Sequence, residues 1–282
     1  MSIKEIFVSR YKEQGTLIEI DYEQLEIAAL AILTDDANLI NDLKNKVDLH
    51  RRSASELYGI PERDVTPEQR RIAKMLSFQL QYGAGAASMA KKLGIPMSEC
   101  SKFIQQFYKR YPYVLQWQQD KIQTVQSHRT PVAFSLYGKS QIGSMTGRLY
   151  TFYEDESEGW NSSGRSKVSF KPTVIKNYPV QGFATGDVVP HMLGVLWATL
   201  REKAETHPSR WENVCLINTI HDSYLLDVPD FMVTDTIALC RSVLNNTSTE
   251  VANFFKLDKF PLELGVSIKT GKDWGSMQPY ED

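Results

Sequence analysis

Apolar and polar residues alternate through TLIEIDY (16–22), the period of a half-buried strand. The pattern then changes to helical spacing, with Leu25, Ala28, Ala29 and Ile32 along one face of EQLEIAALAIL. A strand feeding straight into a helix places Asp21 at the strand's carboxyl end. Helical spacing prevails from 36 to about 128. The clearest case is TPEQRRIAKMLSFQLQYG, where Thr66 is the expected N-cap, Pro67 sits in the first turn, Gln69 completes a capping box and Gly83 is the stop. A second long helical pattern runs from Ser98 to about His128, bent or broken at Pro112. Short strand-like pieces and polar loops fill 131–175, with EGWNSSGRS the most flexible-looking stretch. Beyond them the pattern predicts a helix from near Pro179 to about Thr199, kinked at Pro190, and a strand–turn–strand around TIHDSYLLDV (219–228). A helix over about 231–253 and a terminal strand PLELGVSI complete the chain. Strands at both ends with a helical block between them make an α+β fold of two lobes.

Composition narrows the class. At 282 residues, 42% hydrophobic and 23% charged, the chain is ordinary globular material with enough length for a large core. No apolar run approaches the ~18 residues of a membrane span, and the start MSIKEIFVSRYKEQG lacks the apolar core of a secretory signal. Cys100, Cys215 and Cys240 are far apart and form no C-x-x-C, which favours reduced thiols and a cytoplasmic address. The net charge of −2 is uninformative, but its distribution is not. Residues 51–129 hold 13 Lys/Arg against 6 Asp/Glu, whereas 212–282 hold 5 against 11. A basic region and an acidic one suit a protein that meets polyanions on one side and metal ions on the other.

Two features could carry chemistry. Asp21 and Asp222 each stand where a strand meets a turn. Brought together, two such carboxylates repel, and one takes up a proton unless cations neutralise them. Mg²⁺ binds through a few carboxylates plus substrate phosphates, so the pair suits a two-metal site. The second feature is the stripe Arg70, Lys74, Phe78 and Tyr82, recurring every four residues along the helix 67–82. Ile72, Leu76 and Leu80 form a separate apolar stripe, which leaves the cations free to hold phosphates and the aromatics free to stack a base.

These segments together resemble family A (Pol I-like) DNA polymerases, most nearly the phage members. DYEQLEIAALA resembles the first palm motif, RRIAKMLSFQLQYG the fingers helix R-x-x-x-K-x-x-x-F-x-x-x-Y-G, and IHDS the second palm motif. KNYPVQG is similar to a primer–template segment, and DLHRRSASELYG to the His-containing helix that precedes the fingers motif. The five occur in the family's order over about 20–225. The resemblance implies template-directed DNA synthesis from dNTPs on primer–template DNA, with no membrane partner. Asp21, Asp222 and the Tyr22 carbonyl would bind two Mg²⁺ ions, with Mn²⁺ as a substitute. Arg70, Lys74 and His50 would contact the triphosphate, Lys74 also acting as general acid. Phe78 would stack near the incoming base and disfavour dideoxynucleotides, while Glu26 against Tyr82 would exclude a 2′-hydroxyl. Gly83 would border the templating base with Tyr82, and Asn177, Gln181 and His221 would touch primer–template DNA.

The chain also departs from the family pattern. Ser223 stands where a Glu usually follows the second catalytic Asp, and Thr173 where an Arg often binds duplex. YGKSQIGSMTGR replaces a G-R-R-R run, leaving Lys139 and Arg148 as substitutes. Family members carry an exonuclease-like domain and a helical thumb before the first palm Asp, whereas Asp21 lies close to Met1. The expectation is therefore a right-hand palm (1–34 and 130–282) with an inserted helical fingers subdomain (35–129) and no thumb. A second protein chain would supply the thumb and the 3′–5′ exonuclease, unless the chain is a fragment. The competing reading is a degenerate polymerase fold serving as a DNA-binding or structural component of a replication complex. A His-Asp metal phosphohydrolase is disfavoured, because the five histidines are scattered.

Overall fold

The computed structural model describes residues 3–160 and 166–281. The loop expected at EGWNSSGRS centres on 161–165, which lie outside the described residues. In chain order the first half comprises β1 (Gly15–Tyr22), α1 (Leu25–Thr34), α2 (Ala37–Lys44), α3 (Leu49–Tyr58), α4 (Pro67–Gln81), α5 (Ala86–Leu93), α6 (Met97–Arg110) and α7 (Pro112–Ser127). Then follow β2 (Thr130–Pro131), β3 (Gly138–Gly143), β4 (Leu149–Tyr153), β5 (Asp155–Trp160), β6 (Ser166–Ser169), α8 (Pro172–Gln181), α9 (Val189–Thr206) and α10 (Pro208–Trp211). The last elements are β7 (Cys215–Ile220), β8 (Ser223–Pro229), α11 (Val233–Asn245), α12 (Thr247–Phe255), β9 (Val266–Gly271) and β10 (Gln278–Pro279). Among the described residues no helix is long and apolar enough to cross a membrane.

The chain divides into two compact units, Met1–Glu26 with Phe183–Asp282, and Ile27–Gly182. The first is built on a five-stranded antiparallel sheet in the order β10-β9-β1-β8-β7. β1 is its central strand, flanked by β9 and β8, and every residue of β8 is buried, in keeping with the apolar residues Tyr224, Leu225, Leu226 and Val228 after Asp222. Leu17, Ile18, Ile20, Tyr224, Leu226 and Val228 make the sheet's contribution to the core, and α11 packs on β1, β8 and β9. The N-terminal arm is pinned to β8: the Ser9 hydroxyl (2.6 Å) and the Arg10 guanidinium (2.9 Å) both donate to the buried Asp227 carboxylate.

The second unit holds the whole of the helical block expected over 35–129, and takes in 27–34 and 130–182 as well. One core joins α3, α4, α5 and α6 through Ala54, Leu57, Leu76, Leu80, Met89 and Phe103. A second core joins α7, β3, β4 and α8 through Val125, Ile142, Tyr150, Phe152 and Ile175. This packing of α7 on β3 and α8 is why 130–182 clusters with the helices.

Three elements differ from the sequence expectation. The helix expected to start near Pro179 begins at Pro172, with Pro179 inside α8, and a π-helical stretch over Gly182–Val188 separates it from α9. Pro190 therefore opens α9 after a widened turn instead of kinking one continuous helix; the missing proline N–H is tolerated in a first turn. The helix over 231–253 is two helices parted at Asn246, and the terminal strand begins only at Val266. The break expected at Pro112 is present, with α6 ending at Arg110 and α7 starting at the proline.

Candidate functional site

In the first unit, strand pairing brings the two aspartates together. Asp21 is the penultimate residue of β1 and pairs with Ser223 at the start of β8. His221 and Asp222 form the two-residue loop of the β7–β8 hairpin, Ile220 pairing with Ser223 across it. A loop that short requires a left-handed residue, and His221 supplies it at φ 55°. The Tyr22 N–H donates to the Asp222 carbonyl at 3.2 Å, which ties the end of β1 to the hairpin tip. Just past β1, Gln24 is also left-handed at φ 54°. Each aspartate therefore lies within three residues of a non-glycine residue in a sparsely populated backbone region, a feature that gathers at functional sites.

The electrostatics match this crowding. Burial first, then the Asp222 charge and a hydrogen bond shared with it, and finally Glu19 push the Asp21 carboxyl up to about 6, against the opposing pull of Lys269. The Asp21 Oδ1 atom is buried without a hydrogen-bond partner. Such a pair holds a proton between its oxygens or exchanges it for a cation. The donors are all hard oxygens and one of them is orphaned, so the pair fits a divalent ion of the Mg²⁺ type. No cluster of three or more His, Cys, Asp or Glu ligands occurs among the described residues, so an ion here would complete its shell from backbone, water or ligand oxygens.

The surrounding side chains fix this corner. The Tyr22 hydroxyl shares a 2.7 Å hydrogen bond with Thr247, and its ring meets Tyr224 edge-on at 6.0 Å. Burial pushes the Tyr22 phenol up to about 12, so it stays neutral. The Tyr224 hydroxyl donates to the Val189 carbonyl at 2.9 Å. The Ser223 hydroxyl donates to the Ile220 carbonyl at 3.0 Å, closing the hairpin. Ser223 is thus a hairpin-closing residue at the place where the resembled family has a carboxylate.

In the second unit Lys74, Phe78 and Tyr82 of the helix stripe are exposed, whereas Arg70 is half-buried and paired with Asp48 instead of free. Thr66 and Gln69 make the reciprocal capping box at 3.2 and 2.9 Å. At the other end Gly83, at φ 76°, donates to the Leu80 carbonyl and Ala84 to that of Gln79, a Schellman ending. A Cβ on Gly83 would lie 2.9 Å from the Thr173 Cα, so both conformation and space demand glycine. Leu76 and Leu80 are buried, whereas Phe78 and Tyr82 remain 42% and 41% exposed, so the aromatics are not core residues. The Lys74 ammonium stands 5.6 Å from the Phe78 ring centroid. From α3, His50 brings its ring to 6.1 Å from that of Phe78. Asp48, which sequence reasoning missed, is the N-cap of α3, and its carboxylate accepts from the Arg70 Nε at 2.7 Å. Working against burial, the Arg70 and Arg51 hydrogen bonds hold Asp48 below the usual carboxylate range. Burial, then the Arg70 cation, lower the His50 pKa despite Asp48, with Lys74 adding to the effect, so the imidazole is neutral near pH 7. Its Nδ1 is buried without a partner. An Asp immediately ahead of a helical pattern, the N-cap preference, was the available signal for Asp48.

The remaining expected residues fall in both units. Asn177 and Gln181 lie one turn apart on α8, both half-buried. His221 is exposed at the hairpin tip, and Glu26 is half-buried in the first turn of α1. Glu26 and His221 belong to the unit that holds the carboxylates, while Tyr82, Gly83, Asn177 and Gln181 belong to the helical unit.

Comparison with known proteins agrees with the geometry. The family model described as DNA polymerase family A matches residues 1–276. The thermostable DNA polymerase I of Thermus thermophilus is 26% identical over 274 residues, which is 96% of this chain and 28% of that protein. A DNA polymerase of Bacillus phage SP01 is 27% identical over 279 residues, 97% of this chain and 27% of its own length. The chain therefore spans little more than a quarter of the curated relatives it matches. Among solved structures, the POL domain of Pol1 from M. smegmatis, in complex with DNA primer-template and dNTP, has the same fold at a TM-score of 0.71 and 24% identity, covering 96% of this chain and 42% of that one.

Proposed function

Since the chain belongs to DNA polymerase family A, we propose that it performs template-directed DNA synthesis, joining the α-phosphate of a dNTP to a primer 3′-hydroxyl with release of pyrophosphate. The observation that carries this reading is the Asp21–Asp222 pair, whose repulsion and orphaned oxygen call for a cation. Asp21, Asp222 and the Tyr22 carbonyl would hold two Mg²⁺ ions, which when bound lower the pKa of the attacking hydroxyl and neutralise the triphosphate. The Tyr22 N–H bond to Asp222 and the Tyr22–Thr247 hydrogen bond keep the two carboxylates in register. Arg70 and Lys74 bind the β- and γ-phosphates, with neutral His50 donating a further hydrogen bond. The Lys74 Nζ gives its proton to the departing pyrophosphate oxygen. Phe78 stacks on the incoming nucleotide, Glu26 and Tyr82 exclude a 2′-hydroxyl, and Gly83 borders the templating base. Asn177, Gln181 and His221 contact primer–template DNA, where minor-groove acceptors are largely independent of sequence. In this reading residues 1–34 and 130–282 act as the palm and 35–129 as the fingers.

Primer extension in Mg²⁺ by wild type and by Asp222→Ala tests the proposal. Extension by the first and none by the second supports it. Equal activity of the two, or DNA binding without incorporation by wild type, supports the degenerate-module reading instead. A protein carrying a thumb and a 3′–5′ exonuclease is tested by adding it to the same assay. Processivity that rises supports such a partner, and processive synthesis by the chain alone removes the need for one.

A further inference from the structure

The face of the sheet that carries Asp21 also holds a cation whose place the reaction has not used. In the β1–β9 register Asp21 stands opposite Ser267 and Glu19 opposite Lys269, so Lys269 is the diagonal neighbour of Asp21 on the same face. A diagonal separation of roughly 7–8 Å between backbones is within reach of a lysine side chain. Both Glu19 and Lys269 act electrostatically on the Asp21 carboxylate, which places all three in one charged field. The direct cross-strand partner of Lys269 is engaged elsewhere, since the Glu19 carboxylate accepts from the Trp274 indole N–H at 3.2 Å. Lys269 is exposed, and among the described residues its ammonium makes no hydrogen bond or ion pair.

Other cations of this region are committed to structure. Lys272 donates to the Glu13 and Gly15 carbonyls and to Asp230, and Arg10 to Asp227. Lys269 is thus an uncommitted cation on a face that carries Glu19 and Asp21, next to Asp222. A face with three carboxylates repels a polyanion at the distance where primer and triphosphate must dock. An ammonium within reach of them lowers that barrier without competing for the carboxylates as a full ion-pair partner.

We infer that Lys269 is a phosphate-binding residue of the carboxylate face, contacting a phosphate of either the primer–template backbone or the incoming nucleotide. The inference rests on the polymerase reading above. It assigns to the strand that follows the catalytic hairpin a role none of the recognised motifs covers. A lysine kept merely as a cross-strand partner for Glu19 would instead act on the melting temperature alone.

The test compares wild type, Lys269→Met and Lys269→Arg, each as the full chain. Equilibrium binding of a primer–template duplex is measured between 50 and 200 mM salt, and nucleotide KM by single-nucleotide extension. A backbone-phosphate contact predicts that Lys269→Met flattens the slope of log K against log salt by about 0.9, with Lys269→Arg restoring it. A nucleotide-phosphate contact predicts an unchanged slope and a KM raised about tenfold by Lys269→Met and recovered by Arg. Either pattern supports the assignment and says which phosphate is bound. A folded Lys269→Met that moves neither slope nor KM overturns it, as does one that shifts only the melting temperature. If wild type itself shows no salt-dependent primer–template binding and no extension, the polymerase reading falls and this inference falls with it; a wild type that binds and extends while Lys269→Met matches it overturns Lys269 alone.

Discussion

The two clusters are built in opposite ways. The cation–aromatic surface is a single capped helix with a short neighbour: Arg70, Lys74, Phe78 and Tyr82 share one side of α4, and its packing is done by Leu76 and Leu80 on another. The carboxylate corner needs β1 and the β7–β8 hairpin to pair, two left-handed residues to turn the chain, and two like charges to be held together. On the helix, side chains suited to ligands add nothing to the core and cost it nothing. In the corner, the features suited to chemistry oppose folding, and the surrounding hydrogen bonds of Tyr22, Ser223 and Thr247 hold it in place. Functional side chains are inexpensive on a helix surface and expensive at a strand end.

That contrast can be broken at several points. Its largest consequence is for activity at the corner: Asp222→Ala should lower primer extension by roughly 10³-fold or more, since several kcal/mol of charge stabilisation are lost, while urea denaturation shows a fold at least as stable as wild type. A matching loss of stability would mean that the aspartate is structural. On the helix, Lys74→Ala should lower kcat/KM for dNTP by about 10²-fold with the denaturation midpoint nearly unmoved; unchanged steady-state kinetics would exclude Lys74 from phosphate binding. Gly83→Ala tests the end of that helix, where a left-handed conformation and a 2.9 Å approach to Thr173 coincide. It should cost about 1–3 kcal/mol by chemical denaturation, and a neutral effect would show that the helix end can move.

The stability of Asp21→Asn sharpens the comparison through pH. A carboxyl raised from 3.8 to about 6 binds its proton more tightly in the folded state, so wild-type stability falls as pH rises from about 4 through 6. Below pH 4 the carboxyl is protonated in both states and the penalty disappears. Asp21→Asn lacks the penalty, so its advantage in melting temperature over wild type should be small at pH 4, grow to about pH 6 and then level off, while activity is lost at every pH. An advantage that does not change with pH would remove the repulsion argument. The smallest effect belongs to the helix cap: Thr66→Ala should cost about 1 kcal/mol, measured by thermal unfolding.

Much of the helical surface was legible because its determinants are local. The Thr66–Gln69 box, the Gly83 stop and the four-residue spacing of the stripe are contained in one short segment, and the structure reproduces them. Asp48 escaped notice because its link to Arg70 crosses from one helix to another. The π-helical stretch at 182–188 escaped because the two glycines and the Thr, Asp and Val of GFATGDV weaken a helix without specifying a widened turn. The start of β9 was set too early because Leu262 and Leu264 are buried without strand pairing, and burial alone looks like a strand in an alternating sequence. The shared corner was legible only in part. Each aspartate could be placed at a strand end, but nothing local shows that the two strands pair.

The sequence by itself determined the strand before Asp21, the cap and stop of α4 and the face on which its cations and aromatics lie, because each depends on neighbours within a few residues. Tertiary structure alone decided that Asp21 meets Ser223 and lies within the field of the Asp222 carboxylate. It also decided that Lys269 lies diagonal to them with its partner taken by Trp274. Strand register joins residues with no proximity along the chain, so the charges that make this corner reactive exist only once the sheet has formed.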